Sequence, residues 1–312
     1  MRIFSWITKD TNINFMGAKK LTYAISIISF LLSVALIAVK GFNFGIDFSG
    51  GILMEIKSEQ PLDLTEIRNK LESINVGEIN LQTIGDKGNE LMIRAEADNL
   101  DEEGQRLAVK NIKEVLGSNV EYRKIETVGP QVGDELKIAG TIASLIAILA
   151  ISAYIWVRFE WQFALGALVS LIHDVVITLG LLSLFGMDFS LTTIAAILTL
   201  AGYSVNDKVV TYDRIRENLR KFTKMPQETL LNKSINDIFS RTLLTGFSTI
   251  FAALALLIFG GDTLRSFAFT IVWGVIVGTY SSVYVATGIL NLFDLRKTQE
   301  ASQNVNPFGN VE

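Results

Sequence analysis

The sequence predicts an α-helical multi-pass membrane protein with six transmembrane helices and one small α+β domain outside the membrane. Of its 312 residues 49% are hydrophobic, although 19% are charged. The apolar residues concentrate in six runs, each close to the 18 or more residues that a helix rising about 1.5 Å per residue needs to cross the hydrocarbon. The predicted spans are 21–39, 138–157, 162–185, 189–206, 242–260 and 266–293.

The short flanks of these runs predict the orientation. Lys and Arg number four in residues 1–20 and eight in 206–241, whereas 261–265 contains only Arg265. Positive residues stay on the cytoplasmic side. We therefore expect a cytoplasmic N-terminal tail (1–20), cytoplasmic loop (207–241) and cytoplasmic C-terminal tail (294–312), with residues 40–137 in the periplasm.

The first apolar run predicts a retained anchor rather than a cleaved signal peptide. Lys19 and Lys20 precede it, but its 19 residues exceed a signal core, and no A-x-A-like site precedes Gly41. The chain has no cysteine, which excludes disulfides, thiolate metal sites and thiol nucleophiles. It also has no G-x-x-x-x-G-K-[ST] segment, so we expect no bound nucleotide and no cofactor.

The predicted external domain combines strands of alternating apolar and polar residues with amphipathic helices. Residues 51–57 alternate apolar and polar side chains, as a half-buried strand does. Two amphipathic helices and three further strands follow. The first helix carries an apolar stripe, and Gly117 closes the second. The stripe residues are Leu64, Ile67, Leu71 and Ile74; the second helix is marked by Leu107, Ile112, Val115 and Leu116; the strands are 79–84, 91–95 and 120–128.

The order from residue 51 onward is βαββαβ, a ferredoxin-like split unit. No histidine or clustered carboxylate in it indicates catalysis or a metal, so we expect a surface that binds other chains through a sheet face or edge, or else a spacer. Before its first full strand, Gly50-Gly51 predicts a turn or bulge.

Two ionisable neighbours, His173 and Asp174, lie near the middle of the third predicted span, where charge is expensive. They point about 100° apart on a helix, so each is expected to find its partner elsewhere. Two interpretations stay open. They hydrogen-bond adjacent helices and hold the bundle together, or they belong to a water-filled proton relay.

Asp207 ends the fourth apolar run, and Arg241 precedes the fifth. Because the fourth helix runs inward and the fifth outward, their cytoplasmic ends are expected to meet. A carboxylate balanced between desolvation and a nearby cation can bind and release a proton. The alternative is that Asp207 and Lys208 mark the membrane boundary while Arg241 reaches the headgroups. Residues 213–221 predict a basic, partly amphipathic helix attracted to anionic lipid.

These segments together resemble the SecD/SecF family of bacterial protein-export membrane subunits. The resemblance covers nearly the whole chain and is specific only in combination. The segments are Phe44-Gly-Ile-Asp-Phe-Ser-Gly-Gly51, His173-Asp174, Tyr203-Ser-Val-Asn-Asp207 with Asp213-Arg-Ile-Arg-Glu-Asn218, and Ser240-Arg-Thr-Leu-Leu-Thr245.

The resemblance implies a non-enzymatic subunit beside SecD, in a pair built like a resistance-nodulation-division transporter and driven by the proton-motive force across the inner membrane. It implies that Asp207 and Arg241 belong to the proton path, with Asn206, His173 and Asp174 as further candidates. The implied partners are SecD, the SecYEG channel, YajC, the YidC insertase, unfolded polypeptide, protons and lipid, and no nucleic acid. The family usually has a small or hydroxyl residue after the aspartate; here Lys208 either shifts the balance of the site or points to headgroups.

Two rival functions are half of a small-solute efflux transporter and a scaffold that does not couple to protons. Efflux would need a larger external region with a ligand pocket. The scaffold is separated from the motor by Asp207→Asn, which only the motor should fail to tolerate. An intramembrane hydrolase is remote, because His173 is the only histidine and no nucleophile–base pair accompanies it.

Overall fold

The structure is a computed structural model that describes residues 11–74, 76–84, 88–96, 100, 102–117 and 120–296. The predicted C-terminal tail lies outside the described residues except for 294–296. The chain divides into two compact units. We call Asn43–Ser144 with Asp188–Ile194 the sheet unit, and the remaining described residues the helical unit.

The long helices follow the predicted spans, and most run beyond them. A 3₁₀ turn, Met16–Ala18, leads into the first, and a π-helical turn, Ser282–Ala286, follows the last long one before a short helix, Thr287–Leu290 (α10). The six long helices are Lys19–Lys40 (α1), Pro130–Arg158 (α5), Trp161–Phe185 (α6), Leu191–Lys221 (α7), Gln227–Phe259 (α8) and Gly261–Ser281 (α9).

Among the described residues, five helices are long and apolar enough to cross a membrane. They are Met16–Lys40, Pro130–Arg158, Trp161–Phe185, Gln227–Phe259 and Thr263–Leu290. The fourth predicted span forms α7, a helix of 31 residues, but it is not among the five. Its apolar stretch is interrupted at Asn206, Asp207 and Lys208, which lowers the mean hydropathy of any window that contains them.

The segment 207–241, predicted as a cytoplasmic loop between two spans, is mostly helical. α7 continues to Lys221 and α8 begins at Gln227, so only a short turn separates two helices. The segment 213–221 is helical as predicted, but its apolar side does not lie free for a lipid surface. Ile215 and Leu219 are buried with Leu230, Leu231 and Ile235 of α8. Burial of apolar side chains between the two helices stabilises this hairpin.

The sheet unit contains a four-stranded antiparallel sheet whose strand order is β3-β4-β2-β5. Its helices are Leu64–Glu72 (α3) and Glu102–Leu116 (α4), and its strands are Gly51–Ser58 (β2), Glu78–Ile84 (β3), Glu90–Glu96 (β4) and Val120–Val128 (β5). The order β2-α3-β3-β4-α4-β5 is the predicted βαββαβ. Ile52, Met54 and Ile56 face a buried cluster with both helices.

Two details of the apolar pattern differ from prediction. Leu64 and Leu107 are 39% and 55% exposed, so they lie outside the core. Ile67, Leu71 and Ile112 do lie in it. Leu64 is the first residue of α3, where Asp63 caps the helix, and in α4 it is Ala108 that accompanies Ile112 on the buried side.

A short segment precedes the sheet: strand Asn43–Phe44 (β1) and helix Ile46–Ser49 (α2). β1 pairs in parallel with Asp188–Phe189 (β6), directly before α7. The predicted glycine turn is confirmed, because φ is +73° at Gly50 and +109° at Gly51. A Cβ on Gly50 would lie 3.3 Å from the Cα of Pro130, so both conformation and space favour glycine there.

Candidate functional site

The candidate site is built on α7, which presents three polar side chains within five residues. Ser204 and Lys208 are one helical turn apart and share a face, whereas Asp207 points about 100° away from Lys208. All three are buried: Ser204 and Lys208 are wholly inaccessible, and Asp207 is 8% exposed. Small residues permit this packing. A Cβ on Gly278 of α9 would lie 3.3 Å from Ser204 Oγ.

Asp174 of α6 is the centre of the first cluster and is completely buried. Its Oδ2 accepts hydrogen bonds from Lys208 Nζ at 2.8 Å, Ser204 Oγ at 2.5 Å and Ser281 Oγ at 2.7 Å. Lys208 Nζ also donates to Ser204 Oγ. A buried ion pair persists when additional hydrogen bonds satisfy its remaining polar groups. α6, α7 and α9 are therefore joined by one charged, hydrogen-bonded network.

His173 contacts its neighbour directly, contrary to the expectation that each would find its partner elsewhere. Its Nδ1 lies 3.0 Å from Asp174 Oδ1. Because an ionised carboxylate only accepts, Nδ1 carries the hydrogen. Nε2 is buried and has no hydrogen-bond partner among the described residues. The imidazole ring stacks 6.5 Å from the ring of Tyr280.

Lys208 does not point to headgroups, because it is completely buried and its hydrogen bonds go to Asp174 and Ser204 rather than to Asp207. The sequence signal that was missed is the spacing of Ser204 and Lys208. At i and i+4 they face the same neighbouring helix. Asp174 is the buried acid on α6 that they meet. Ser281, also missed, sits where α9 passes into the π-helical turn, a feature frequent at functional sites.

Asp207 lies on the other side of α7, toward α8. Its Oδ1 accepts a hydrogen bond from Thr242 Oγ1 at 3.0 Å. Its Oδ2 is buried and has no hydrogen-bond partner of good geometry among the described residues, although the Ser282 hydroxyl also interacts with this carboxyl group. A buried oxygen without a donor is costly when the carboxylate is charged. The arrangement therefore gives Asp207 an environment unlike that of Asp174, which Lys208 neutralises.

The expected meeting of Asp207 and Arg241 is not an ion pair in this structure. No nitrogen of Arg241 lies within 4.0 Å of an Asp207 oxygen in the described part of the chain, and Arg241 is exposed. α7 and α8 do meet here, but the contact is made by Thr242, the residue after Arg241. Asn206 is exposed on α7, so the structure does not bring it into either cluster. Among the described residues no group of three or more His, Asp or Glu is placed to hold a metal ion.

Two family profiles match the chain. One, described as the protein export membrane protein SecD/SecF C-terminal family, matches residues 108–296 and so covers more than half of the sequence. The chain belongs to the SecD/SecF family. The second, the SecD/SecF GG motif, matches residues 35–62, which include the Gly50-Gly51 turn.

Relatives within the SecD/SecF family are similar over almost their full length. A protein translocase subunit SecF from Rickettsia felis is 48% identical over 91% of this chain and 92% of the relative. A protein of the same name from Rickettsia prowazekii is 46% identical over 94% of each.

Two solved SecDF structures have the same fold. SecDF from Thermus thermophilus, described as a translocon-associated membrane protein, matches with a TM-score of 0.81 and 36% identity, over 91% of this chain and 39% of the solved one. SecDF in a super-membrane-facing form gives a TM-score of 0.67 at 36% identity. The present chain thus spans about two fifths of the solved SecDF chain.

Proposed function

We propose that the chain is a non-enzymatic subunit of the bacterial Sec protein-export machinery that works with SecD and uses the proton-motive force to promote polypeptide translocation across the inner membrane. Membership of the SecD/SecF family and the SecF relatives support the export role. Pairing with SecD is supported by the solved SecDF chains, of which this chain matches only a part.

The proposed topology has six spans, with both termini inside and the ferredoxin-like domain, residues 40–137, outside. The five apolar helices support it. We place α7 as the sixth span because it is long enough at 31 residues, and because its polar side chains Ser204, Asp207 and Lys208 are buried within the protein rather than facing lipid.

Asp207 is the proposed proton carrier. The observation that carries this is the contrast between two buried carboxylates: Asp174 is neutralised by Lys208, whereas no cation lies within 4.0 Å of Asp207 among the described residues. Loss or gain of a proton at Asp207 therefore changes the net charge of the interior, a change that helix movement can relieve. Arg241 is the residue before Thr242, which contacts Asp207. The positive charge of Arg241 therefore acts on Asp207 at a distance beyond 4.0 Å.

The remaining candidate residues have lesser roles in the proposal. His173 and Asp174 hold the network that fixes α6 against α7 and α9, and Asn206 lies on the exposed side of α7 beside the carrier. The sheet unit is proposed to contact the external part of SecD or emerging unfolded polypeptide, and the subunit to reach the SecYEG channel, with YajC and the YidC insertase as neighbours.

The test is export of a substrate protein by membrane vesicles that carry the chain with SecD, measured with and without a proton gradient. We expect Asp207→Asn to abolish the gradient-dependent part while assembly with SecD persists. Asp213→Asn is the matched control, because Asp213 lies on the same helix but is exposed and pairs with Arg158. A scaffold without proton coupling would export normally with Asp207→Asn, and that result would refute the proposal.

A further inference from the structure

We infer that Asp47, Arg94 and Asp188 form a clamp that holds the first turn of α7 in the sheet unit and thereby positions Asp207, further along the same helix. The inference rests on the proposed function and adds to it the residues that hold the first turn of α7, the helix that carries Asp207. None of the three is one of the candidate proton-path residues.

Asp47 caps α7 from a distant part of the sequence. Its Oδ2 accepts a hydrogen bond from the backbone N–H of Leu191 at 2.9 Å. The first four N–H groups of a helix have no partner within it, and Ser190 Oγ serves only that of Thr193. A carboxylate at this end is also favoured by the helix dipole. Asp47 lies in the short helix α2, directly before the Gly50-Gly51 turn.

Arg94 holds the residues just before α7. One terminal nitrogen lies 3.1 Å from Asp188 Oδ1, and the other donates to Asn43 Oδ1 and to the carbonyl of Phe44, both at 3.2 Å. The Arg94 side chain is only 12% exposed. It belongs to β4, an inner strand bonded on both sides, so the guanidinium projects from a rigid element. A planar guanidinium that engages several acceptors at once is more restrictive than a lysine.

The backbone and the aromatic rings complete the clamp. β1 and β6 pair in parallel, with Asn43 opposite Asp188 and Phe44 opposite Phe189, and Gly45 N–H donates to the carbonyl of Phe189 at 2.9 Å. The rings of Phe48 and Phe189 lie 5.8 Å apart. Offset and edge contacts of this kind add to the apolar burial. The start of α7 is thus held by backbone pairing, ring packing, an ion pair and a cap.

The consequence follows from the continuity of α7. The helix runs unbroken from Leu191 to Lys221, and Asp207 lies 16 residues after Leu191, about 24 Å along the axis at 1.5 Å per residue. A helix resists stretching, so displacement of its first turn moves the segment that carries Asp207. A displacement at the clamp is therefore transmitted along α7 to Asp207, and a change of charge at Asp207 is transmitted back to the clamp.

The experiment compares single, exchanged and control variants in vesicles containing the full chain with SecD. Arg94→Asp and Asp188→Arg each place like charges together, and the double variant restores an opposite pair. We expect each single change to reduce gradient-dependent export at least fivefold and the exchange to restore at least half. Arg123→Asp is the control, because Arg123 pairs with Glu90 on the same sheet rather than with a residue of the clamp; it should have no effect.

Two further variants test the cap. Asp47→Asn keeps an acceptor for the Leu191 amide and should retain most of the gradient dependence, whereas Asp47→Leu should lose it. Amide hydrogen exchange distinguishes loss of the cap from general unfolding of the protein. The first turn of α7 should exchange faster in Asp47→Leu, and the gradient-dependent difference in protection near Asp207 should vanish while β2–β5 stay protected.

Unchanged gradient dependence in the Arg94, Asp188 and Asp47→Leu variants would overturn the clamp, as would failure of the charge exchange to restore it. Asp207→Asn, measured in parallel, separates this result from failure of the proposed function. If Asp207→Asn is inactive and the clamp variants are normal, only the clamp is wrong. If Asp207→Asn keeps full gradient dependence, the proton mechanism itself is wrong.

Discussion

Lys208 Nζ lies 2.8 Å from Asp174 Oδ2, and both side chains are completely buried. The pair joins α6 to the next long helix, α7. Ser204 and Ser281 complete the hydrogen bonds of Asp174. The two charges of the pair cancel. The interior of the helical unit therefore holds two buried acids. Asp174 is neutralised by Lys208, whereas Asp207, the residue before Lys208, has no ion pair within the described residues.

Breaking this pair should destabilise the protein more than removing it. Lys208→Met or Asp174→Asn alone leaves an uncompensated buried charge, at a cost of about 3–5 kcal/mol. The double variant Asp174→Asn with Lys208→Met leaves none and should lie within about 1–2 kcal/mol of the parent. Thermal unfolding of the purified chain in detergent measures this cycle. Additive losses in the double variant would show that the two charges are not coupled.

Thr242 should matter through the single hydrogen bond that it donates to Asp207. Thr242→Val keeps the shape but removes the donor, and a hydrogen bond to a charged group contributes about 1.5–3 kcal/mol. The loss falls on the ionised form only. We therefore expect Thr242→Val to shift the pH dependence of gradient-driven export, and Thr242→Ser, which keeps the hydroxyl, to leave it nearly unchanged. Equal profiles for Val and Ser would contradict this.

Arg241 should behave differently from Lys208 because it is exposed. Arg241→Gln leaves no buried charge unpaired, so its effect on thermal unfolding should stay within about 0.5 kcal/mol. If its charge acts on Asp207 at longer range, gradient-dependent export should fall, and Arg241→Lys should retain it. Export measured at low and high ionic strength is the check, since screening weakens an exposed charge. A large loss of stability in Arg241→Gln would contradict the exposed position.

The sequence predicts much of the fold because periodicity reports which side of an element is buried. β2–β5, α3 and α4 follow from it with small differences, and the glycine turn follows from Gly50-Gly51. Asp174 and Asp207 were recognised because charge in an apolar run is conspicuous. The residues that contact these two acids were not recognised from the sequence. Lys208 at the edge of a charged segment resembles a boundary residue, and only the packing of α7 against α6 shows which way it points.

The helical hairpin over 207–241 was missed for a related reason. Its many charges suggest a loop or a surface helix, yet Asn218 is 1% exposed, and its Nδ2 donates to Ser234 Oγ at 2.9 Å and to Asp237 Oδ2 at 3.0 Å. Such contacts between helices depend on where the turn between them falls. Residue composition alone does not fix that position.

Gly166 and Tyr212 provide a test of the packing between α6 and α7. A Cβ on Gly166 would lie 2.8 Å from the Tyr212 hydroxyl oxygen and 3.2 Å from the carbonyl oxygen of Ala286. Tyr212 is completely buried, and its hydroxyl has no hydrogen-bond partner among the described residues. Gly166→Ala should therefore destabilise by about 1–3 kcal/mol through overpacking.

Tyr212→Phe removes the atom that Gly166→Ala would meet. Because the hydroxyl is buried without a partner, its loss should be neutral or stabilising, and it should recover part of the stability lost in Gly166→Ala. Two contacting sites should show a coupling energy of about 0.5–3 kcal/mol in a double-mutant cycle. Thermal unfolding of the four proteins measures it, with Tyr154→Phe as the matched control, since Tyr154 on α5 is 57% exposed. A clear loss of stability in Tyr212→Phe would show that this hydroxyl is hydrogen-bonded. The distance between α6 and α7 would then have to be larger than the contact at Gly166 implies.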